Sequence, residues 1–205
     1  MKFLTTIILT LTVSINGYSF EEKNCIQPFK NLQTVDKELF ISTAQIWDKY
    51  LQQLLAHYIK DKEVEFLPVD TVKVMSTQIK DFIIKYKDEL DKPTEAQLWR
   101  IYAGLAGDVF KRSNNPFWAT DAYKGLRNAT LVDKENPQHV INFVESLKGF
   151  EKFYYAQGGL SRAGIKVLWG RDFDDENRLA KQLIGLHKND NRIKKLQRKY
   201  YDISS

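Results

Sequence analysis

Residues 34–60 read TVDKELFISTAQIWDKYLQQLLAHYIK, and their spacing decides the fold class. Leu39, Phe40, Thr43, Ile46, Trp47, Tyr50, Leu51, Leu54, Leu55, Tyr58 and Ile59 recur every three or four positions. Side chains at that spacing lie above one another on an α-helix, so the stretch predicts a long helix with one broad apolar stripe. Downstream the same period returns. Pro68 stands where a second helix would begin, and Val72, Met75, Ile79, Phe82, Ile83 and Tyr86 mark its buried face. Lys80, Asp81, Lys85 and Lys87 then face mostly water. Thr94 and Gln97 form a capping box after Pro93 and open a helix over 95–112 that carries Leu98, Ile101, Tyr102, Leu105 and Val109. Asn115-Pro116 stops that helix and starts the next, which Trp118, Ala122, Tyr123, Leu126 and Ala129 line. Asn136-Pro137 repeats this punctuation ahead of Val140, Phe143, Val144, Leu147, Phe150 and Tyr154. Gly158-Gly159 turns the chain into a short helix over 160–169. The carboxylates of Asp172, Asp174, Asp175 and Glu176 suit the positive end of a helix running to about His187. A basic helix over 189–201 follows. No segment alternates apolar and polar residues long enough for a strand, so the expected fold is all-α.

The first nineteen residues have a different character. Lys2 gives a positive start, residues 3–13 are apolar apart from threonines, and Gly17-Tyr18-Ser19 has small residues where a signal peptidase reads them. The run is shorter than the roughly 20 apolar residues that span a bilayer. The expected organisation is a cleavable leader (1–19), an N-terminal arm (20–33) and one all-α domain (34–205), with a periplasmic or secreted destination. Cys25 is the only cysteine, so no intramolecular disulfide can form and the core must hold the fold alone. Glu22-Lys23-Asn24 before it is not the small apolar context of a lipoprotein signal. The formal net charge of +5 comes from many charges of both signs, too mild an excess to imply nucleic acid.

Ala122, Leu126, Ala129 and Asp133, leading to Pro137, resemble the second helix of a tetratricopeptide repeat, and Tyr102, Leu105, Ala106 and Val109 resemble its first. The unit departs from that pattern in a longer inter-helix loop, in Ala106 for glycine and in a late proline. The chain in this respect is similar to degenerate exported helical-repeat proteins of bacterial envelopes, including the T-component proteins of tripartite substrate-binding transporters. The resemblance implies stacked antiparallel hairpins, 34–60 with 69–90, 95–112 with 116–132, 137–157 with 160–169 and 174–187 with 190–201. It also implies a scaffold that binds a partner protein or peptide. An irregular α-helical bundle is the alternative architecture.

No motif carries recognisable catalysis. His57, His139 and His187 are far apart and lack ligands at metal-binding spacing, so no metal and no cofactor are expected. The acidic run from Asp172 misses the EF-hand pattern, because Asn177 stands in place of its glycine and Leu183 in place of its glutamate. Glu145, Glu151 and Glu176 lie near aromatics in sequence, as a glycan hydrolase would want, yet nothing distinguishes them from solvated helix faces. Gly158-Gly159 with Arg162 reads as a helix-ending turn rather than an anion site. Asn128-Ala129-Thr130 is a glycosylation sequon inside an expected helix.

Two surfaces remain as candidates. The aromatics Trp99, Tyr102, Trp118, Tyr123, Tyr154 and Tyr155 would anchor a protein or peptide partner if the hairpins curve into a groove. Arg192, Lys194, Lys195, Arg198 and Lys199, spaced around Ile193, Leu196 and Tyr200, form a basic amphipathic helix suited to an anionic surface. The expected function is a non-enzymatic exported adaptor. The alternatives are a helical cell-envelope hydrolase and a peripheral membrane binder that uses the last helix.

Overall fold

The computed structural model describes residues 27–32, 35–60, 63–156 and 172–202. The expected leader, Cys25 and the predicted short helix over 160–169 with its Gly158-Gly159 turn lie outside the described residues. Within these residues there are seven helices and no strand: α1 Lys37–Lys60, α2 Val69–Tyr86, α3 Lys92–Ser113, α4 Pro116–Val132, α5 Pro137–Ala156, α6 Phe173–Leu186 and α7 Asn191–Tyr200.

Local chemistry sets the helix ends. Asp36 accepts from the backbone N–H groups of Glu38 and Leu39 at the start of α1. The opening of α3 differs from the sequence expectation. Asp91, not Thr94, is the cap, accepting from the Thr94 N–H at 2.8 Å and the Thr94 hydroxyl at 2.9 Å. A carboxylate beside the positive helix end outcompetes a hydroxyl, so the helix begins three residues earlier and takes Pro93 into its first turn. Asn115 caps α4 with Pro116 at the first position, while Asp172 and Asp190 cap α6 and α7. Asn114 ends α3 in the left-handed region (φ 54°) and returns its N–H to the Phe110 carbonyl.

Helix α3 is the centre of the bundle. Its residues 101–110 are all buried, because it faces two cores at once. Leu98, Ile101, Tyr102, Leu105 and Val109 join Phe40, Trp47, Met75, Ile79 and Phe82 of α1 and α2. Ala103, Ala106 and Phe110, on the other side, join Ala122, Tyr123, Phe143, Phe150, Leu183 and Ile193 of α4 to α7.

The packing is that of an irregular bundle. The closest backbone approach is α3 with α4, as the sequence suggests, followed by α2 with α3 and α4 with α5. The other expected partners differ. Helix α1 approaches α3 more closely than α2, and α7 lies on α5 more closely than on α6. Side-chain size explains this. Ala103, Ala119, Ala122 and Gly125 let α3 and α4 meet, and a methyl group added at Gly125 would fall 2.8 Å from the Ala103 Cβ and 2.9 Å from the Trp99 carbonyl. Between α1 and α2, by contrast, the Phe40 and Phe82 rings stack at 4.0 Å and hold the backbones apart. The expected pairing of α5 with residues 160–169 lies outside the described residues.

Candidate functional site

Helix α7 has five basic residues among ten and no acid. Ile193 and Leu196 are buried against the second core, and Tyr200 and Tyr201 pack at its edge. At 100° per residue these positions share one side of the helix, so Arg192, Lys194, Lys195, Arg198 and Lys199 fall on one continuous opposite arc. All five are exposed. The helix is fixed in this orientation from several directions. The Tyr201 hydroxyl donates to Asn177 Oδ1 at 3.0 Å, and Lys148 lies over the Tyr201 ring. Arg192 donates to Gln138 Oε1 at 3.1 Å, and Lys199 to Glu145 at 3.3 Å.

The charges divide into two sets. Arg192 pairs with the capping Asp190 at 2.8 Å, and its hydrogen bond is the main cause that pulls the Asp190 carboxyl down to about 2. Lys199 is held above the usual lysine range by its hydrogen bond with Tyr200 and by Glu145. The side chains of Lys194, Lys195 and Arg198 make no ion pair or hydrogen bond among the described residues. A shallow groove of about 280 Å³ runs between α7 and α5, lined by Arg192, Lys195 and Lys199 on one side and by Gln138, Ile141 and Glu145 on the other. The arrangement can attract and hold negative charge.

The aromatic candidates do not gather into a groove. Tyr123 is fully buried, donates to Glu176 at 2.7 Å and stacks on Phe150. Tyr102 is buried in the first core, and the buried Tyr154 hydroxyl meets Thr120 at 3.2 Å. These three side chains lie inside the cores and not on a surface of the bundle. Trp99 is half-buried, with its indole N–H donating to Glu95, and Trp118 is wedged between the two cores. Tyr155 alone of the six is exposed, tilted against Phe173.

The carboxylates considered for hydrolysis are also engaged elsewhere. Glu176 is fully buried and accepts from Tyr123 and Arg127, Glu151 pairs with Lys148, and Glu145 with Lys199. A glycosidase needs two carboxyl groups facing each other across an open cleft, and these three do not supply it. The histidines sit on separate elements. His57 packs against Tyr58 and Phe66, His139 lies 3.5 Å from Asp133, and His187 meets the Lys134 carbonyl. Among the described residues no group of His, Cys, Asp and Glu could hold a metal ion, and no helix is long and apolar enough to cross a membrane.

Sequence reasoning missed the buried ionic residues. Asp48 accepts from Arg100 at 2.6 Å with both side chains nearly out of water. Asp108 pairs with Arg112 beneath Tyr50 and Tyr58. Burial pushes the Asp108 carboxyl up against the opposing pull of Arg112 and Lys111, and pushes the Tyr58 phenol up to about 12. Arg112 also donates to the Leu67 carbonyl while Tyr50 accepts from the Leu67 N–H, so the connection before α2 is gripped at both polar groups of one residue. The available signal was phase: Asp48 falls between Ala44 and Leu51 on the apolar stripe.

Comparison with protein-family models, with curated proteins and with solved structures returns no match to this chain.

Proposed function

We propose that this chain is an exported peripheral binder of anionic membrane surfaces, docking through the outer arc of α7. The observation that carries this reading is the fixed division of that helix. Its apolar residues are committed to the core and its five cations are exposed to solvent. A helix that inserts into lipid must offer its apolar side. With Ile193 and Leu196 buried, α7 has only charge to offer, so contact with a membrane would stay at the headgroup level.

Magnitudes fix the character of the binding. Each Lys or Arg near an anionic leaflet contributes about 1 kcal/mol. Three to five such residues give about 3–5 kcal/mol, a millimolar-range attachment that is reversible and salt-sensitive. Such an interaction holds the protein at a surface without locking it there. The adaptor reading has less behind it, since three of its six aromatic anchors are buried, and the hydrolase reading rests on carboxylates that are buried or paired with cations.

The test is co-sedimentation of the mature chain with phosphatidylglycerol-rich vesicles and with neutral phosphatidylcholine vesicles. Binding to the first only, lost at high salt and lost in the Lys194→Glu/Lys195→Glu/Arg198→Glu chain, supports the reading. Equal binding to neutral vesicles, or none to either, contradicts it.

A further inference from the structure

Helices α5 and α7 run side by side in step, and one rung of the ladder between them is unfilled. Arg192 on α7 donates to Gln138 on α5, and Lys199 on α7 donates to Glu145 on α5. Both contacts join residues 54 positions apart, so the two helices point the same way and stay in register. Positions 192, 195 and 199 form one stripe of α7, and 138, 141 and 145 form the matching stripe of α5. Lys195 and Ile141, at that same separation, line the groove between the two polar rungs. An ammonium group stands opposite an alkyl side chain there, whereas its neighbours meet an amide and a carboxylate. The charge of the groove follows. Arg192 is balanced by Asp190 at 2.8 Å and Lys199 by Glu145 at 3.3 Å. The Lys195 side chain has no such partner among the described residues. One positive charge is therefore left over in a groove of about 280 Å³. Nη1 of Arg192 bonds Gln138 and Nη2 bonds Asp190, and each nitrogen carries a second N–H that these bonds do not use. The floor is apolar, since Ile141 is half-buried and Leu196 is 4% exposed.

We propose that the groove between α5 and α7 seats the phosphodiester headgroup of an anionic phospholipid, with phosphate oxygens on Lys195 and Arg192 and the glycerol against Ile141 and Leu196. A phosphodiester carries one negative charge, which matches the one uncompensated cation. It has several acceptor oxygens for the ammonium and guanidinium donors, and a hydrocarbon part for the apolar floor. Free phosphate fits less well. It carries close to two charges at neutral pH, the second of which Glu145 would repel, and it has nothing to lay on Ile141. This inference rests on the membrane reading and adds a specific seat to it. Attraction by the whole basic arc treats Lys194 and Lys195 alike, whereas the seat needs Lys195, and Lys194 does not line the groove.

The test compares Lys194→Gln with Lys195→Gln in the mature chain. Both positions are exposed, so neither change threatens the fold. On phosphatidylglycerol-rich vesicles Lys194→Gln should weaken binding about 5-fold, the share of one cation near an anionic leaflet. Lys195→Gln also removes charge-assisted hydrogen bonds and should weaken binding at least about 10-fold further. A second readout needs no membrane. Dihexanoyl phosphatidylglycerol below its micelle concentration should shift the Ile141 and Leu196 methyl NMR signals saturably in the wild-type and Lys194→Gln chains, and not in Lys195→Gln. Dihexanoyl phosphatidylcholine, whose choline cancels the phosphate charge, and inorganic phosphate should leave those signals in place. The absence of a saturable shift in the wild-type chain overturns the seat, as does a shift that survives Lys195→Gln. Equal losses of vesicle binding in the two variants overturn it as well and leave the membrane reading standing. A shift by inorganic phosphate as large as by the lipid overturns the headgroup as the occupant. A wild-type chain that ignores vesicles but shows the Lys195-dependent shift contradicts the membrane reading alone.

Discussion

Helix α3 buries ten consecutive residues, 101–110, whereas α7 buries only Ile193 and Leu196. Both carry charge, and they use it in opposite ways. On α3, Arg100 is turned inward onto Asp48, and Asp108 is paired with Arg112 beneath two tyrosines. On α7, the side chains of Lys194, Lys195 and Arg198 stand in water without partners among the described residues. A buried charge must be neutralised where it sits, because its desolvation costs several kcal/mol. An exposed cation costs almost nothing to keep and stays available to a counter-charge from outside. The contrast separates charge that holds the fold from charge that can recognise something.

The sharpest challenge to that contrast is Arg100→Ala. It strands the Asp48 carboxylate in the core and should lower stability by about 3–5 kcal/mol, read by urea unfolding. The double change Arg100→Met with Asp48→Leu removes both charges and should recover most of the loss. If it recovers none, the pair is doing something other than neutralising itself.

Next in size is Gly125→Ala, which tests the close approach on the α4 side of α3. The added methyl meets the Ala103 Cβ, the Trp99 carbonyl and the Tyr102 ring, all within 2.9 Å. Overpacking of this kind costs about 1–3 kcal/mol, visible as a lower melting temperature. Gly185→Ala on α6 is the matched control. A methyl there meets nothing within 4 Å, so the gain in helix propensity should raise stability by about 0.5–1 kcal/mol.

A smaller effect concerns pH. Burial holds the His139 imidazole below its usual value, against the pull of Asp133. The unfolded chain then takes up that proton first as pH falls through about 6.5. Stability present above that pH is lost on acidification towards the depressed folded value. Asp108 works in the opposite sense, because burial raises its carboxyl and the folded chain holds the proton longer as pH rises from 3.8. His139→Gln should flatten the dependence of the urea midpoint between pH 7 and the acid limb, and leave the Asp108 contribution in place.

The helices were legible because their stripes are long and dense. The face expected on α2, from Val72 to Ile83, is the buried face observed. The basic arc of α7 was legible for the same reason, since its cations occupy the positions that Ile193 and Leu196 leave free. Apart from α3 on α4, which helix lies on which was not legible. It depends on ring-on-ring contact between Phe40 and Phe82 and on Gly125 opposite Ala103, pairings that periodicity does not encode. The buried ion pair was hidden for a related reason: Asp48 and Arg100 are 52 residues apart and meet only after α1 has settled on α3. Tyr123 and Tyr154 looked equally suited to a groove or a core, and only their burial decides between the two.

The most direct measurement takes the Lys194→Glu/Lys195→Glu/Arg198→Glu chain through urea unfolding and vesicle co-sedimentation side by side. Each surface change of this kind moves stability by about 0.5 kcal/mol at most, so the three together should cost no more than about 1.5 kcal/mol while binding to phosphatidylglycerol-rich vesicles disappears. Undiminished vesicle binding, or a large fall in the midpoint, would contradict the division between a helix that spends its charge inside and one that offers it outside.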